Sequence, residues 1–346
     1  MRKSIQGFVL TAICLAFVLG TARGAVHARN RGAAPAQNEV RIGVGFGLAF
    51  LPIYVCEDLK LIDKYAKEAH LDLKPSFQRF NGAAELQDAL SSGAIDVAPF
   101  GTAPLLAAWQ NGKDSSAQIL AVSGLTTLPL ALLSNRADVQ SLTDLKPTDR
   151  VAVPTLTSPQ MYLLQLQSEK TFGRWQYDKL KGQVVALSHA EAMESLVAAD
   201  GDVTAYFSSP PFTEFALRDA GIHPLLRSTD VMGGKASFLM LGASRAYIEA
   251  QPEVAGVIVK AIDEAARLIS QNPRRAAQIY LTHEPSGSIN GAAMEAVLTD
   301  IKDEFGSTLY GVQAIADFMS RHGGLRAAPQ SWKEIVAPAL LNSPSG

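Results

Sequence analysis

The chain has 346 residues, 47% of them hydrophobic, with 31 basic residues against 33 acidic ones and a formal charge of −2. So even a balance excludes the electrostatic footprint of a nucleic-acid binder, and the length allows two lobes with cores of their own. Two cysteines, Cys14 and Cys56, exclude a disulfide-rich scaffold.

The N-terminus reads as a targeting segment. Arg2 and Lys3 precede an apolar run from Phe8 to Leu19, followed by small residues. A run of about 12 residues is short for a bilayer span and suits the core of a signal peptide. Residues 1–24 are therefore predicted to be a signal peptide ending at Ala22-Arg-Gly24, with Val26-His-Ala28 as a second cleavage option. Ile13 ahead of Cys14 argues against lipidation, which wants a small residue there. Residues 25–38 read as a flexible leader. Cleavage would leave 28 basic residues against 33 acidic, a charge of −5, and a periplasmic protein. No later stretch reaches 18 consecutive apolar residues, so that protein is expected to be soluble. Its one thiol, Cys56, falls in an amphipathic run and is expected to be a buried packing residue.

Strands and helices then alternate. Val40 to Phe46 is predicted as a strand, Ile53 to Glu68 as one helix, Leu71 to Phe77 as a strand, Gly82 to Ser92 as a helix, and Ile95 to Pro99 as a short strand. Thr102 to Gln110 is a helix and Ile119 to Ser123 a strand. After the apolar run Leu128 to Ser134 a second series begins: strand Arg150 to Val153, helix Ser158 to Lys170, strand Gln183 to Leu187, helix His189 to Ala199, strand Val203 to Phe207 and helix Pro210 to Ala220. Ala236 to Leu241 is β-capable and is expected to return the chain to the first lobe. Helices follow at Pro252 to Ser270, Pro273 to Leu281, Gly291 to Asp303, Val312 to Ser320 and Trp332 to Val336, the last capped by Ser331. This order predicts an α/β protein of two lobes, each a mostly parallel sheet flanked by helices, with a ligand cleft between them. Lobe 1 is placed at 39–126 and 237–346, lobe 2 at 127–236, with crossings near 125–130 and 234–240.

Four apolar runs end in small-residue turns with proline close behind: Gly43 to Pro52, Ala98 to Pro104, Val153 to Pro159 and Tyr206 to Pro211. Each reads as a strand handing the chain to a helix start, where proline is tolerated and Ser or Thr can cap. Helix starts carry free N–H groups and partial positive charge. Four of them around one cleft would hold a small, anionic molecule and point to binding rather than catalysis.

At this level the chain resembles the periplasmic solute-binding proteins of ABC importers, in the nitrate/taurine/sulfonate group. The resemblance rests on Leu51-Pro-Ile-Tyr-Val, Asn81-Gly-Ala-Ala-Glu-Leu-Gln-Asp-Ala-Leu, Ser92-Gly-Ala-Ile-Asp-Val, Gly101-Thr-Ala-Pro, Tyr206-Phe-Ser-Ser-Pro-Pro-Phe and Asn272-Pro-Arg-Arg-Ala-Ala-Gln-Ile-Tyr, across most of residues 40–285. It implies a type II periplasmic binding protein fold that closes on a solute by hinge motion and docks with a membrane permease and its ATPase. It also implies ligand-binding loops at Phe46, Gly47, Leu48, Ala49 and Phe50, at Gly101, Thr102 and Ala103, at Ser123 and Gly124, at Thr157, Ser158 and Gln160, and at Phe207, Ser208 and Ser209. None of these loops carries Arg or Lys, which favours a singly charged or neutral organic solute such as a sulfonate or carboxylate. A monomer, with no cofactor, no metal and no catalytic residue, is expected.

Other readings fit less well. Gly43-Val-Gly45-Phe-Gly47 lacks the spacing of a dinucleotide loop. Ser123, Ser158 and Ser208 lack the flanking glycines of a hydrolase elbow. His27, His70, His189, His223, His283 and His322 are scattered without metal-ligand spacing. Arg79 is expected at the solvated surface, with reach into the cleft as the alternative, and His189 at the surface or in a cap, with ligand contact as the alternative. Pyrimidine-synthesising enzymes of similar fold need a cysteine-rich motif that this chain lacks. A receptor for a pyrimidine or other heteroaromatic solute, and a sensory receptor subunit, both remain open.

Overall fold

The computed structural model describes residues 38–198, 201–285 and 289–341. The predicted signal peptide, and all of the predicted leader but Asn38, lie outside the described residues. Strand β1 (Glu39–Val44) buries Val40, Ile42 and Val44 and pairs in parallel with β2 (Lys74–Arg79) and β3 (Val97–Gly101). Between β1 and β2 the single predicted helix is two, α1 (Leu51–Asp58) and α2 (Leu61–Glu68). The break is at Lys60, whose φ of 52° is left-handed and reorients the chain without a glycine. Strand β2 alternates exposed and half-buried residues, as an edge strand does. Helix α3 (Ala83–Ser91) joins β2 to β3, and α4 (Thr102–Asn111) joins β3 to β4 (Ile119–Thr126).

The chain then crosses to β5 (Ala131–Ser134), β6 (Val151–Val153), α5 (Pro159–Phe172), β7 (Val184–Ala186), α6 (His189–Val197), β8 (Ala205–Ser208), α7 (Phe212–Ala216), β9 (His223–Arg227) and α8 (Ser228–Met232). It returns through β10 (Leu239–Ser244) and ends in α9 (Arg245–Ala250), α10 (Pro252–Gln271), α11 (Pro273–His283), α12 (Gly291–Asp300) and α13 (Val312–Arg321). Strand β9 and helices α8 and α9 go beyond the elements expected from sequence. Helix α7 stops at Ala216, and Trp332–Ile335 is a 3-10 turn rather than an α-helix, with Ser331 Oγ accepting from the Lys333 amide.

The two five-stranded sheets have orders β2-β1-β3-β10-β4 and β7-β6-β8-β5-β9. In each, four strands run one way and one is reversed: β10 is antiparallel to β3 and β4, β5 to β8 and β9. The reversed strand is the first the chain lays down after each crossing. Only residues 127–130 precede β5 and only the five-residue α8 precedes β10, so no long crossover helix forces a parallel entry. The expectation of a mostly parallel sheet holds for strand direction, but each sheet is mixed in its pairings.

Helix α10 buries Val254, Ile258, Ile262, Ala265 and Ile269 along one face and packs on α1, α2 and β4. The Asp96 of Ser92-Gly-Ala-Ile-Asp-Val has a structural role. Its carboxylate accepts from the Arg41 amide at 2.8 Å and from the guanidinium at 2.7 and 2.9 Å, tying β1 to the start of β3. Cys56 is buried in the first lobe's core, which pushes its thiol up.

The crossings are pinned by the C-terminal segment. The Gly124 amide donates to Ser307 O at 2.7 Å, and a Cβ on Gly124 would sit 2.5 Å from Thr308 O and 2.7 Å from Ser307 O. Both neighbours are backbone and cannot swing aside. Gly124→Ala should therefore cost about 1–3 kcal/mol of stability, read as a lower urea midpoint at unchanged slope. A wild-type midpoint would show that this contact does not confine the crossing.

Candidate functional site

In the first lobe three connections leave the carboxyl ends of neighbouring strands, where open α/β sheets place their ligands. After β1, Gly45 to Gly47 turn into a 3-10 segment, Leu48–Phe50, that runs into α1. Gly47 has φ 109°, a left-handed value that favours glycine, and the Phe50 amide closes the turn on its carbonyl at 3.0 Å. After β2, Phe80 and Asn81 lead to Gly82, which starts α3 with no side-chain cap. After β3, Gly101 starts α4, again with no side-chain cap.

These connections enclose a half-open cavity of about 260 Å³ lined by Gly45, Phe46, Phe50, Phe80, Asn81, Gly82, Gln87, Phe100, Gly101 and Pro104 among others. Its ring walls rest on glycines. A Cβ on Gly45 would lie 2.5 Å from Phe50 Cζ, and one on Gly242 3.0 Å from Phe100 Cδ2. Phe46 is 52% exposed.

A layer of charge beneath the cavity holds the first loop. Glu284, just past α11, accepts from the Gly47 amide at 2.6 Å. The Tyr54 hydroxyl lies 2.5 Å from the same Oε1 and 3.0 Å from the Gly45 carbonyl, two acceptors sharing one donor. Burial, reinforced by Glu284, pushes the Tyr54 hydroxyl well up, so it stays protonated and donates. His283 stacks on the Tyr54 ring at 4.6 Å, and its Nε2 meets Asp58 Oδ1 at 2.8 Å. Arg79 lies over the same tyrosine ring, 4.3 Å from its centre, and meets Glu57 at 3.4 Å and the His283 imidazole. It braces the loop and does not stand free at the surface as the sequence suggested.

The lobes meet through the next pair of turns. A Cβ on Gly101 would be 3.2 Å from Pro159 Cγ at the start of α5. Thr102, Ala103, Pro159, Tyr162, Ser237 and Tyr310 line a narrow space of about 30 Å³ there. The Thr102 hydroxyl donates to the Ser237 carbonyl at 2.7 Å, while Ser158 caps α5, its Oγ accepting from the Met161 amide at 3.3 Å. Thr157 lines a larger open groove with Ala103 and Tyr162. Gln160 is buried in the first turn of α5.

Other residues expected at the site lie elsewhere. Leu48 and Ala49 are buried beneath the loop. Ser123 and Gly124 are covered by Ser307 and Thr308, with the Ser123 hydroxyl donating to the Gly124 carbonyl at 2.6 Å. Phe207 is buried in the core, Ser208 is paired with Ala131 inside the second sheet, and Ser209 Oγ lies 3.1 Å from His189 Nε2; these three line neither cavity. His189 opens α6 as expected, but Ser188 caps that helix, and the imidazole turns inward onto the Tyr206 hydroxyl and stacks on Phe212 at 5.2 Å. Sequence reasoning missed Phe80, Asn81, Gln87, Phe100, Tyr54 and Glu284. The run starting at Asn81 had marked the resemblance without being carried into the site.

The model of the NlpA lipoprotein family matches residues 48–174, just over a third of the chain. No curated protein sequence matches. Among solved structures, the periplasmic aliphatic sulphonate binding protein SsuA from Escherichia coli is 17% identical with a TM-score of 0.66, over 86% of this chain and 92% of that one. The alkanesulfonate-binding protein SsuA from Xanthomonas axonopodis pv. citri, bound to MOPS, is 20% identical with a TM-score of 0.63, over 89% and 99%. The periplasmic nitrate-binding protein NrtA from Synechocystis PCC 6803 is 14% identical with a TM-score of 0.65, over 89% and 90%. The chain has the two-lobed periplasmic binding protein fold, and the resemblance read from sequence is borne out at the level of that fold.

Two outcomes follow from the site's geometry. Glu284→Ala leaves the Gly47 amide without its acceptor and should cost about 1–2 kcal/mol, with faster hydrogen exchange at Gly47; unchanged exchange there would show that the loop stands without Glu284. In the second lobe, burial holds the His189 imidazole down to about 4 and pushes the Glu214 carboxyl up to about 7. Between pH 6.5 and 4 the unfolded chain binds a proton that folded His189 refuses, so this group lowers stability as pH falls. Folded Glu214 keeps a proton between pH 4.5 and 7 that the unfolded chain releases, so it lowers stability as pH rises. Urea midpoints across pH 4–7.5 should show His189→Gln losing the acid-side decline and Glu214→Gln losing the opposite slope. Parallel profiles for both variants and wild type would refute this assignment.

Proposed function

We propose that the chain is the extracytoplasmic substrate-binding component of an ABC-type importer. It captures a small organic anion of sulfonate or carboxylate type by hinge closure and delivers it to a membrane permease coupled to an ATPase. The observation that carries the reading is the approach of two helix starts from opposite lobes, Gly101 of α4 and Pro159 of α5, beside a cavity open at the carboxyl ends of the first sheet. Uncapped N–H groups at the α3 and α4 starts suit an anion, and the scarcity of fixed cations in these loops suits a singly charged organic one. The named sulfonate and nitrate proteins of like fold point the same way.

In this reading lobe 1 is 39–126 with 237–346 and lobe 2 is 127–236. The protein is periplasmic after loss of residues 1–24 and works as a monomer without covalent chemistry. The contacts come from Phe46, Gly47, Phe50, Gly101, Thr102 and Ala103 on one side and Thr157, Ser158 and Gln160 on the other. Leu48 lies buried beneath the first of these loops, and Ser123, Gly124, Phe207, Ser208 and Ser209 take no part in the contacts.

A thermal-shift screen of sulfonates, carboxylates, nitrate, bicarbonate and pyrimidines tests the reading. A solute at 100 times its Kd adds about 2.7 kcal/mol, and small-angle scattering should show the chain contracting with it. Gly101→Leu, which wedges a side chain against Pro159, should weaken binding at least about tenfold with little change in the melting temperature of the free protein. A hit without contraction, or full affinity in Gly101→Leu, would sink hinge closure, and a blank screen would sink solute capture.

A further inference from the structure

Four of the chain's 14 phenylalanines converge on the first-lobe cavity. Phe46 is the most exposed of them, Phe50 and Phe80 are half-buried, and Phe100 is buried. A folded chain gains by covering such faces, yet here three neighbouring rings are left facing an open space.

The placement of Phe50 and Phe100 depends on bare backbone behind them. Phe50 lies on Gly45, Phe100 on Gly242, and Phe80 Cε2 is 3.6 Å from where a Cβ on Gly43 would stand. With glycine close behind them, Phe50 and Phe100 act as fixed walls, while Phe80 and the exposed Phe46 complete the rim. Among the described residues the lining carries no Lys, Arg, Asp, Glu or His; its side-chain amides are Asn81 and Gln87. The half-open space of about 260 Å³ is roomy enough for one substituted six-membered ring.

We infer that this cavity is the solute's principal subsite and that it selects a single planar aromatic or heteroaromatic ring, with the Asn81 and Gln87 amides meeting polar groups on the ring's edge. The inference rests on the solute-receptor reading and adds the class of solute. Offset or edge-to-face contact between flat rings exceeds what buried area alone supplies, so a planar ring is favoured over an aliphatic group of equal size. The amides can donate and accept, so the subsite reads ring substituents without demanding a charge.

Calorimetric titration of the purified full chain with two matched pairs tests this: benzenesulfonate against hexanesulfonate, and uracil against dihydrouracil. Each pair keeps its polar groups and differs in planarity. The expected result is that the planar member of at least one pair binds about tenfold or more tightly than its partner. Phe50→Leu and Phe46→Leu should reduce that preference to about threefold or less. Both residues are at least half-exposed or half-buried at the rim, and unchanged melting temperatures would show that the variants fold. Equal affinities within both pairs, or preference for the saturated members, overturn the inference while leaving the receptor reading intact. Binding of none of the four overturns it too, and a nitrate or aliphatic carboxylate hit in the wider screen then shows that the receptor reading stands without it.

Discussion

The two lobes share a waist, and its geometry governs the rest of the molecule. Strands β4 and β10 are antiparallel neighbours, so the chain leaves the first sheet and re-enters it at almost the same place. The Phe238 amide donates to the Thr126 carbonyl at 2.8 Å and binds one crossing to the other. The C-terminal chain then fastens both. Thr127 donates to Glu304 through its amide at 2.8 Å and its hydroxyl at 2.5 Å, while Ser237 and Tyr310 exchange bonds at 3.0 Å. Two short segments held side by side are the arrangement that the proposed hinge closure requires. A further link crosses behind the waist, where Glu169 of α5 meets Arg321 at 3.1 Å and His322 at 2.6 Å at the end of α13.

The site is built on missing side chains. Phe50 and Phe100 rest where glycine leaves backbone bare, and Gly101 lets α4 approach α5 across the lobes. Glu284 then holds the Gly45–Gly47 turn from below through an amide and a tyrosine hydroxyl. The charged residues of this region, Glu57, Asp58, Arg79, His283 and Glu284, are largely spent on one another and on the loop. The cavity above them is therefore left to aromatic rings and neutral amides. Charge supports the scaffold, and apolar surface and amides face the open space.

Much of this was legible before the fold. The β3–α4 and β6–α5 junctions read correctly because their signals are local: a buried strand, a small residue, then Pro104 behind Thr102 or Pro159 behind Ser158. The return of the chain through Ala236 to Leu241 was readable from a β-capable run that follows the second α/β series and precedes a helical tail. The break at Lys60 was not, because the hydrophobic period continues across it and only the left-handed residue redirects the axis. Phe80, Asn81 and Gln87 were missed for another reason. They follow an edge strand of ordinary sequence, and they face the cavity only because β2 lies beside β1.

The sequence by itself determined the alternation of strands and helices, the helix starts after β1, β3 and β6, and the two-lobed plan, since periodicity, prolines and caps act within a few residues. Tertiary structure alone decided which turns share a space. It buried Ser123 and Gly124 under Ser307, turned His189 inward, and set Glu284 beneath Gly47 from 237 positions away. No local pattern encodes such a pairing, because the contact exists only once α11 has packed against α1.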